Sequence, residues 1–240
     1  MKSEAVENYL KAIYASLQNS EKVTTSKLAQ YIGVSSASAT SMIKKLDEMK
    51  LVHYKPYYGV SLTDAGMKVA LETIRHHRLL ELYLSEALGV SWDKVHDEAE
   101  RWEHVLSEDL EDRIDAILGH PTSDPHGSPI PMRDGSIPSR NQEVLVDLQP
   151  GKKAFVTEVS DHDPEILRYF TSLGIGINAE IKVIRIEPFE GPLTILINNA
   201  EYSIGRKMAT LIYVSVTPHK LSTIELSPET ISKKRDGNAT

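Results

Sequence analysis

Five prolines fall at positions 121, 125, 129, 131 and 138, with glycines at 127 and 135. Proline lacks an N–H and fixes φ, so neither a helix interior nor a central strand can run through this stretch. It reads as a linker that divides the chain. Upstream of it, apolar residues recur at three- and four-residue spacing, the helical period. Downstream they come in short runs, Ala154–Val159, Ile181–Ile186, Thr194–Ile197 and Leu211–Val216, separated by Pro150-Gly151, Gly174–Asn178 and Glu190-Gly191-Pro192. These are strand and turn signals, with one short helix over 163–170, and they predict a small β barrel. The expected fold class is α+β, mainly α. At 240 residues, the chain suits one to three domains.

Within the helical region, Val6, Tyr9, Leu10, Ile13, Tyr14 and Leu17 mark an amphipathic first helix. Thr24, Thr25 or Ser26 can cap a short second helix that ends at Gly33, and Ser35 or Ser36 can cap a third carrying Ala39, Ile43, Leu46 and Met49. Two short helices around a glycine turn form a helix-turn-helix pattern, whose second helix enters the major groove by its N-terminal end. That end is Ser35, Ser36, Ala37, Ser38, Thr40 and Ser41. Short hydroxylic side chains allow close approach but little bidentate readout, so thymine methyls, water and DNA shape carry the discrimination. Leu51–Tyr54 and Val60–Thr63 read as a hairpin, or wing, with Lys55 and Tyr57 near its tip. Lys55, Lys44 and Lys45 suit phosphate contacts.

Charge is segregated. Residues 1–60 carry eight lysines against five acids, whereas residues 91–120 carry ten acids against three basic residues. A basic amino-terminal module followed by an acidic one suggests two functions in one chain. The acidic stretch reads as a helix from Trp92 to about Leu118, following a long helix that runs from Thr63 or Asp64 to about Leu88. At 100° per residue, His96, Glu100, Glu103 and His104 then share one arc, and the preceding helix adds His77 and Glu81. Imidazoles and carboxylates together bind divalent transition metals. Cysteine is absent, which excludes disulfides and thiolate ligands and fits a cytoplasmic protein. No signal peptide and no membrane span are expected. With no separate general base or oxyanion motif, the chain is not expected to be an enzyme. Two alternatives stay open: a metal-independent winged-helix regulator, and a metallohydrolase with an appended winged helix.

His77-Arg78-Leu79 with Glu81, followed by Lys94-Val95-His96-Asp97-Glu98-Ala99-Glu100-Arg101-Trp102-Glu103-His104, resembles the diphtheria-toxin-repressor family of iron- and manganese-dependent regulators. Asp124-Pro125-His126-Gly127-Ser128-Pro129-Ile130-Pro131 looks like that family's linker motif. The resemblance implies a winged helix-turn-helix over 1–72, a helical metal-binding and dimerisation domain with linker over 73–142, and an SH3-like domain of the ferrous-iron transport accessory type over 143–226. A polar tail, 227–240, is expected to be disordered. The resemblance further implies a homodimer on a palindromic DNA operator, repressing genes of manganese or iron homeostasis. The corepressor would be Mn²⁺, alternatively Fe²⁺, at two sites per subunit. One site would use His77, Glu100, Glu103 and His104, with Asn8 from the first helix. Glu100 stands where iron-type members have cysteine, which leans to manganese. Manganese-type members carry aspartate at the position of Asn8 and often glutamate at that of Lys11, and a protonated lysine cannot ligate. The second site would use Glu81, Asp124, His126 and acids of the carboxy-terminal domain. In its iron-type form it would pair His77, Glu81 and His96 with an acid near Asp163, for which Glu165 is the neighbouring candidate.

Overall fold

The computed structural model describes residues 3–18 and 23–218. The polar tail lies outside the described residues. The chain compacts into two units whose segments alternate along the sequence. One comprises Met1–His77, Arg101–Leu106 and Pro131–Ile137, the other Arg78–Glu100, Ser107–Ile130 and Pro138–Thr240.

In the first unit α1 (Glu4–Gln18), α2 (Thr25–Ile32) and α3 (Ser36–Glu48) precede a hairpin of β1 (Val52–Lys55) and β2 (Gly59–Leu62). Both short helices start on the caps their sequences offer. Thr24 Oγ1 accepts from Lys27 N at 3.2 Å, and Ser35 Oγ accepts from Ser38 N at 3.1 Å. Gly33 takes φ 77° and ends α2 in the left-handed region, where a side chain would be strained. The helices then bury Leu10, Ile13, Leu28, Ala39, Ile43 and Leu46 against Val52 and Val60 of the hairpin. Apolar burial on this scale is the main favourable term for so small a unit.

α4 (Asp64–Leu88) follows, as its period predicts. The single helix expected from Trp92 to about Leu118 is instead two, α5 (Val95–Trp102) and α6 (Glu108–Ile117). The break has two causes, one distant in the chain and one local. His76 Nδ1 lies 3.1 Å from the Glu103 carbonyl, engaging a group that a continuous helix needs. Ser107 then caps α6 by accepting from Leu110 N at 3.3 Å, and Glu108, Asp109 and Glu111 place negative charge in its first turn. Glu103 and His104 therefore sit in a turn, and the shared-arc argument does not apply to them.

The second unit contains a six-stranded sheet of β3 (Glu143–Val144), β4 (Lys153–Val159), β5 (Glu180–Ile186), β6 (Leu193–Ile197), β7 (Ala200–Ile204) and β8 (Ile212–Ser215). The order is β3-β8-β4-β5-β6-β7, with every neighbouring pair antiparallel. Register shifts between Val156 and Glu158 and between Val183 and Arg185 bend the strands. The inner face buries Val156, Ile181, Val183, Leu193, Ile195, Ile212 and Val214 with Phe170 of α7 (Pro164–Ser172). The strands β3 and β7 and the short helix α8 (Arg206–Ala209) were not anticipated. For β7 the signal was present: Asn198 and Asn199 both take positive φ, as a two-residue hairpin turn requires.

The linker packs onto this sheet through an aspartate-centred turn. Asp124 Oδ1 accepts from His126 N at 2.8 Å and Ser128 N at 2.9 Å, and Val159 N of β4 donates to His126 O at 2.9 Å. Gly127 sits at φ 90°, and a Cβ there would lie 2.1 Å from Thr157 O. Gly127→Ala should therefore cost about 1–3 kcal/mol from backbone strain alone, and more from the clash. Chemical denaturation should show the lower midpoint; an unchanged midpoint would mean that the linker does not need this close approach.

Candidate metal centres and nucleic-acid interface

Among the described residues, each unit holds a buried cluster of ionisable side chains. In the second unit α4 supplies Glu81, α5 supplies His96, the linker turn supplies Asp124 and His126, and the segment after β4 supplies Asp161. Glu81, Asp124, His126 and Asp161 each offer one ligand atom, and these atoms all lie within 4.8 Å of one another. Asp124 and His126 are fully buried, yet Asp124 Oδ2 and His126 Nδ1 make no hydrogen bond. Buried polar atoms in native proteins are nearly always paired, so this pair points to a missing ligand.

The surroundings fix these atoms in place. His126 Nε2 lies 2.7 Å from the Trp92 carbonyl, which can only accept, so Nε2 carries the proton. In the neutral ring that leaves Nδ1 with a lone pair, as a metal-binding imidazole requires. The Trp92 indole stacks on the ring at 5.8 Å. Asp124 spends Oδ1 on the turn and keeps Oδ2 for the cluster, 3.6 Å from Arg78 Nε. Arg78 also donates to Pro129 O, and Arg140 donates to Gly127 O, so two guanidiniums hold the linker backbone. His96 Nδ1 lies 3.2 Å from Glu81 Oε1 and 3.9 Å from Asp161 Oδ2, at the rim. Burial works to lower the His126 pKa, but the Glu81, Asp124 and Asp161 carboxylates outweigh it and raise the value to about 9. Burial, reinforced by the Glu81 charge, also pushes the Asp124 carboxyl up. The metal-free cluster carries excess negative charge and holds protons against it. Hard oxygen donors with one imidazole fit a divalent cation.

The carboxy-terminal acid in this cluster is Asp161, not Asp163 or Glu165. Asp163 is exposed and caps α7, accepting from Glu165 N at 2.8 Å, and Glu165 is exposed in the first turn.

In the first unit the cluster is built from α1, α4 and the turn after α5. His77 Nδ1 lies 2.5 Å from Glu103 Oε2, and Lys11 Nζ lies 2.6 Å from Glu103 Oε1. His104 Nδ1 lies 2.6 Å from Glu7 Oε2, and its Nε2 lies 3.3 Å from Glu103 Oε1. The first-helix carboxylate is thus Glu7, one residue before Asn8, which is half-buried on α1. Burial works to raise the Glu103 pKa; the His77 hydrogen bond and charge, with Lys11, overcome it and hold the carboxyl below its ordinary range. Glu100 is half-exposed and lies 3.8 Å from His96 Nε2.

The helix-turn-helix leaves Ser35, Ser36, Ala37, Ser38 and Ser41 exposed, with Lys44, Lys45 and Lys55. Ser35 is partly committed to its cap, and Thr40 donates to Ser36 O at 2.7 Å. Tyr57 is fully exposed at the hairpin tip, where Lys55 Nζ sits 4.3 Å over the Tyr58 ring.

Three family models match consecutive stretches. They are the iron dependent repressor N-terminal DNA binding domain over 1–60, the iron dependent repressor metal binding and dimerisation domain over 63–132, and the FeoA domain over 144–216. The diphtheria toxin repressor of Corynebacterium efficiens is 30% identical over 191 residues, covering 75% of this chain and 83% of that protein. The chain belongs to the diphtheria-toxin-repressor family. The iron-dependent repressor IdeR of Mycobacterium tuberculosis is 27% identical over 223 residues, covering 88% of this chain and 96% of that protein. Among solved structures, a manganese-dependent transcriptional repressor in complex with manganese is 41% identical with a TM-score of 0.83, covering 88% of this chain and all of that one. The manganese regulator SloR is 29% identical with a TM-score of 0.74, covering 88% of this chain and 98% of that one. Family membership carries the expected fold class: a helix-turn-helix DNA-binding domain, a helical domain and a carboxy-terminal FeoA-type sheet.

The raised His126 value gives the metal-free protein a pH dependence. A group raised above its unfolded pKa of about 6.5 contributes stability that is fully present below that pH and lost as pH rises through about 9. The raised Asp124 carboxyl acts in the same direction. In EDTA the unfolding free energy should fall between about pH 6.5 and 9, by an amount on the order of 2–3 kcal/mol, with the melting temperature falling alongside it, and His126→Gln should flatten the fall. A melting temperature that rises across this window would contradict the charge balance described for the cluster.

Proposed function

We propose that the chain is a homodimeric, manganese-activated transcriptional repressor that acts in the cytoplasm on a palindromic operator. The observation that carries this reading is the linker cluster, in which Asp124 Oδ2 and His126 Nδ1 are buried without a hydrogen bond among Glu81 and Asp161. Glu81, Asp124, His126 and Asp161 would hold the divalent cation, with His96 at the rim. When bound, the ion supplies the positive charge that three gathered carboxylates lack. The family resemblance puts Asp124 where relatives have a cysteine, so the donors here are oxygen and nitrogen only. That set suits Mn²⁺ and lacks the soft sulfur donor that selects later metals, with Fe²⁺ the alternative.

The chain's own residues do the rest. Trp92 O orients His126, and Asp124 Oδ1 shapes the linker turn. Arg78 and Arg140 hold the linker carbonyls. The exposed start of α3 reads base edges in the major groove, while Lys44, Lys45 and Lys55 meet phosphates. On α6, Leu110 and Ile117 stand seven residues apart on one face and are both about half-exposed, which suits a dimer contact. Two-fold symmetry of the protein then asks for two matched half-sites. Metal and operator affinities are reciprocally linked, so the ion acts as corepressor.

Selection of DNA from a random pool in Mn²⁺, followed by titration of the selected duplex with and without EDTA, tests the reading. EDTA should weaken binding at least about tenfold, a coupling of about 1.4 kcal/mol, and Glu81→Gln should abolish the difference. Equal affinity with and without Mn²⁺ would refute metal activation. Lys44→Glu or Lys55→Glu should weaken binding across sequences and lower the salt slope by about 1 each. In sedimentation, Leu110→Glu with Ile117→Glu should raise the monomer fraction.

A further inference from the structure

The two buried clusters balance their carboxylates differently. In the first-unit cluster Glu103 is fully buried, and both its oxygens face nitrogen donors: Lys11 Nζ at 2.6 Å on Oε1 and His77 Nδ1 at 2.5 Å on Oε2. Lys11 follows Glu7 by one helical turn on α1, so both face the turn holding Glu103 and His104. His104 closes the arrangement, with Nδ1 2.6 Å from Glu7 Oε2 and Nε2 3.3 Å from Glu103 Oε1. Among the described residues, the buried side-chain polar atoms that lack a hydrogen bond belong to the linker cluster, and none belongs here. Nor, among the described residues, are any three of Glu7, His77, Glu103 and His104 grouped with one ligand atom each within 4.8 Å of one another.

These residues do not fit a divalent cation. An ion on Glu103 has to displace an ammonium or sit beside it, and an ammonium has no lone pair to offer. The chemistry that a metal would supply, positive charge against a buried carboxylate, is already present on a side chain of α1.

We propose that Lys11 is a built-in cation that takes the place of a divalent ion in tying α1 to Glu103, so that this tie is permanent and metal sensing is left to the linker cluster. The second half of that statement rests on the reading of the linker cluster given above. A contact present with and without metal cannot bias a metal-dependent equilibrium, because a ligand shifts two states only by its differential affinity for them. Lys11 is thus a residue that sets the number of ions bound, not a ligand.

Equilibrium dialysis of the full chain against Mn²⁺, with bound metal counted per subunit, tests this. Wild type and Glu103→Gln should bind the same number of ions. Lys11→Glu, which exchanges the ammonium for a carboxylate, should bind one more. Hydrogen exchange gives a readout that does not depend on any variant folding. In wild type the amides of α1 should be equally protected in EDTA and in Mn²⁺, whereas in Lys11→Glu their protection should rise with Mn²⁺. Loss of one ion in Glu103→Gln, or at least tenfold slower exchange of wild-type α1 on adding Mn²⁺, would overturn the proposal. Glu81→Gln keeps the two readings apart: an unchanged ion count in that variant sinks the linker reading, while an ion lost in Glu103→Gln sinks this one.

Discussion

One oxygen of Asp124 accepts from the backbone N–H groups of His126 and Ser128, and this pair of bonds decides where the groups of the linker turn point. The turn they close presents the His126 carbonyl to β4 and the His126 ring to the Trp92 carbonyl. It also leaves the second carboxylate oxygen nowhere to go but the cluster. A carboxylate that only bound metal could rotate when the site was empty. This one is held by two main-chain bonds, so the donor atoms stay in place without an ion. Such preorganisation lowers the ordering cost of binding. It also explains why two arginines are spent on loop carbonyls: Arg78 and Arg140 hold Pro129 O and Gly127 O, on either side of Ser128.

Much of this was legible in the sequence, and the failures have specific causes. The period of α1 through α4, the caps at Thr24 and Ser35, and the linker prolines depend on local chemistry and were readable. The members of the linker cluster were readable too: Glu81, Asp124 and His126 do converge. The helix expected across Glu103 failed because an apolar period does not record a break made by a distant side chain, here His76 on the Glu103 carbonyl. The acids after Ser107 were a start signal that the period masked. Asp163 was a candidate because it lies near the right place in the chain. An aspartate directly before a proline that begins a helix is better read as a cap, which frees Asp161 for the cluster. Glu7 was missed because family position pointed to Asn8. One residue on a helix is a rotation of about 100°, enough to decide which side chain faces His104. The i, i+4 pairing of Glu7 with Lys11 was the available clue.

The two clusters are alternative answers to one electrostatic problem. A carboxylate taken out of water must be neutralised by a proton, by a fixed cation or by a bound ion. The linker cluster gathers Glu81, Asp124 and Asp161 around one imidazole and holds protons, as the raised values of His126 and Asp124 record. Protons are exchangeable, so on the proposed reading the cluster trades them for a divalent ion and its charge then follows the metal supply. The first-unit cluster has two carboxylates, Glu7 and Glu103, and meets them with two imidazoles and an ammonium. Its Glu103 is held below the ordinary range, so it keeps no exchangeable proton of its own. A cluster that is balanced internally is insensitive to the metal outside. On the two readings proposed above, the linker cluster is the site poised to respond and the first-unit cluster is the one that the Lys11 ammonium closes.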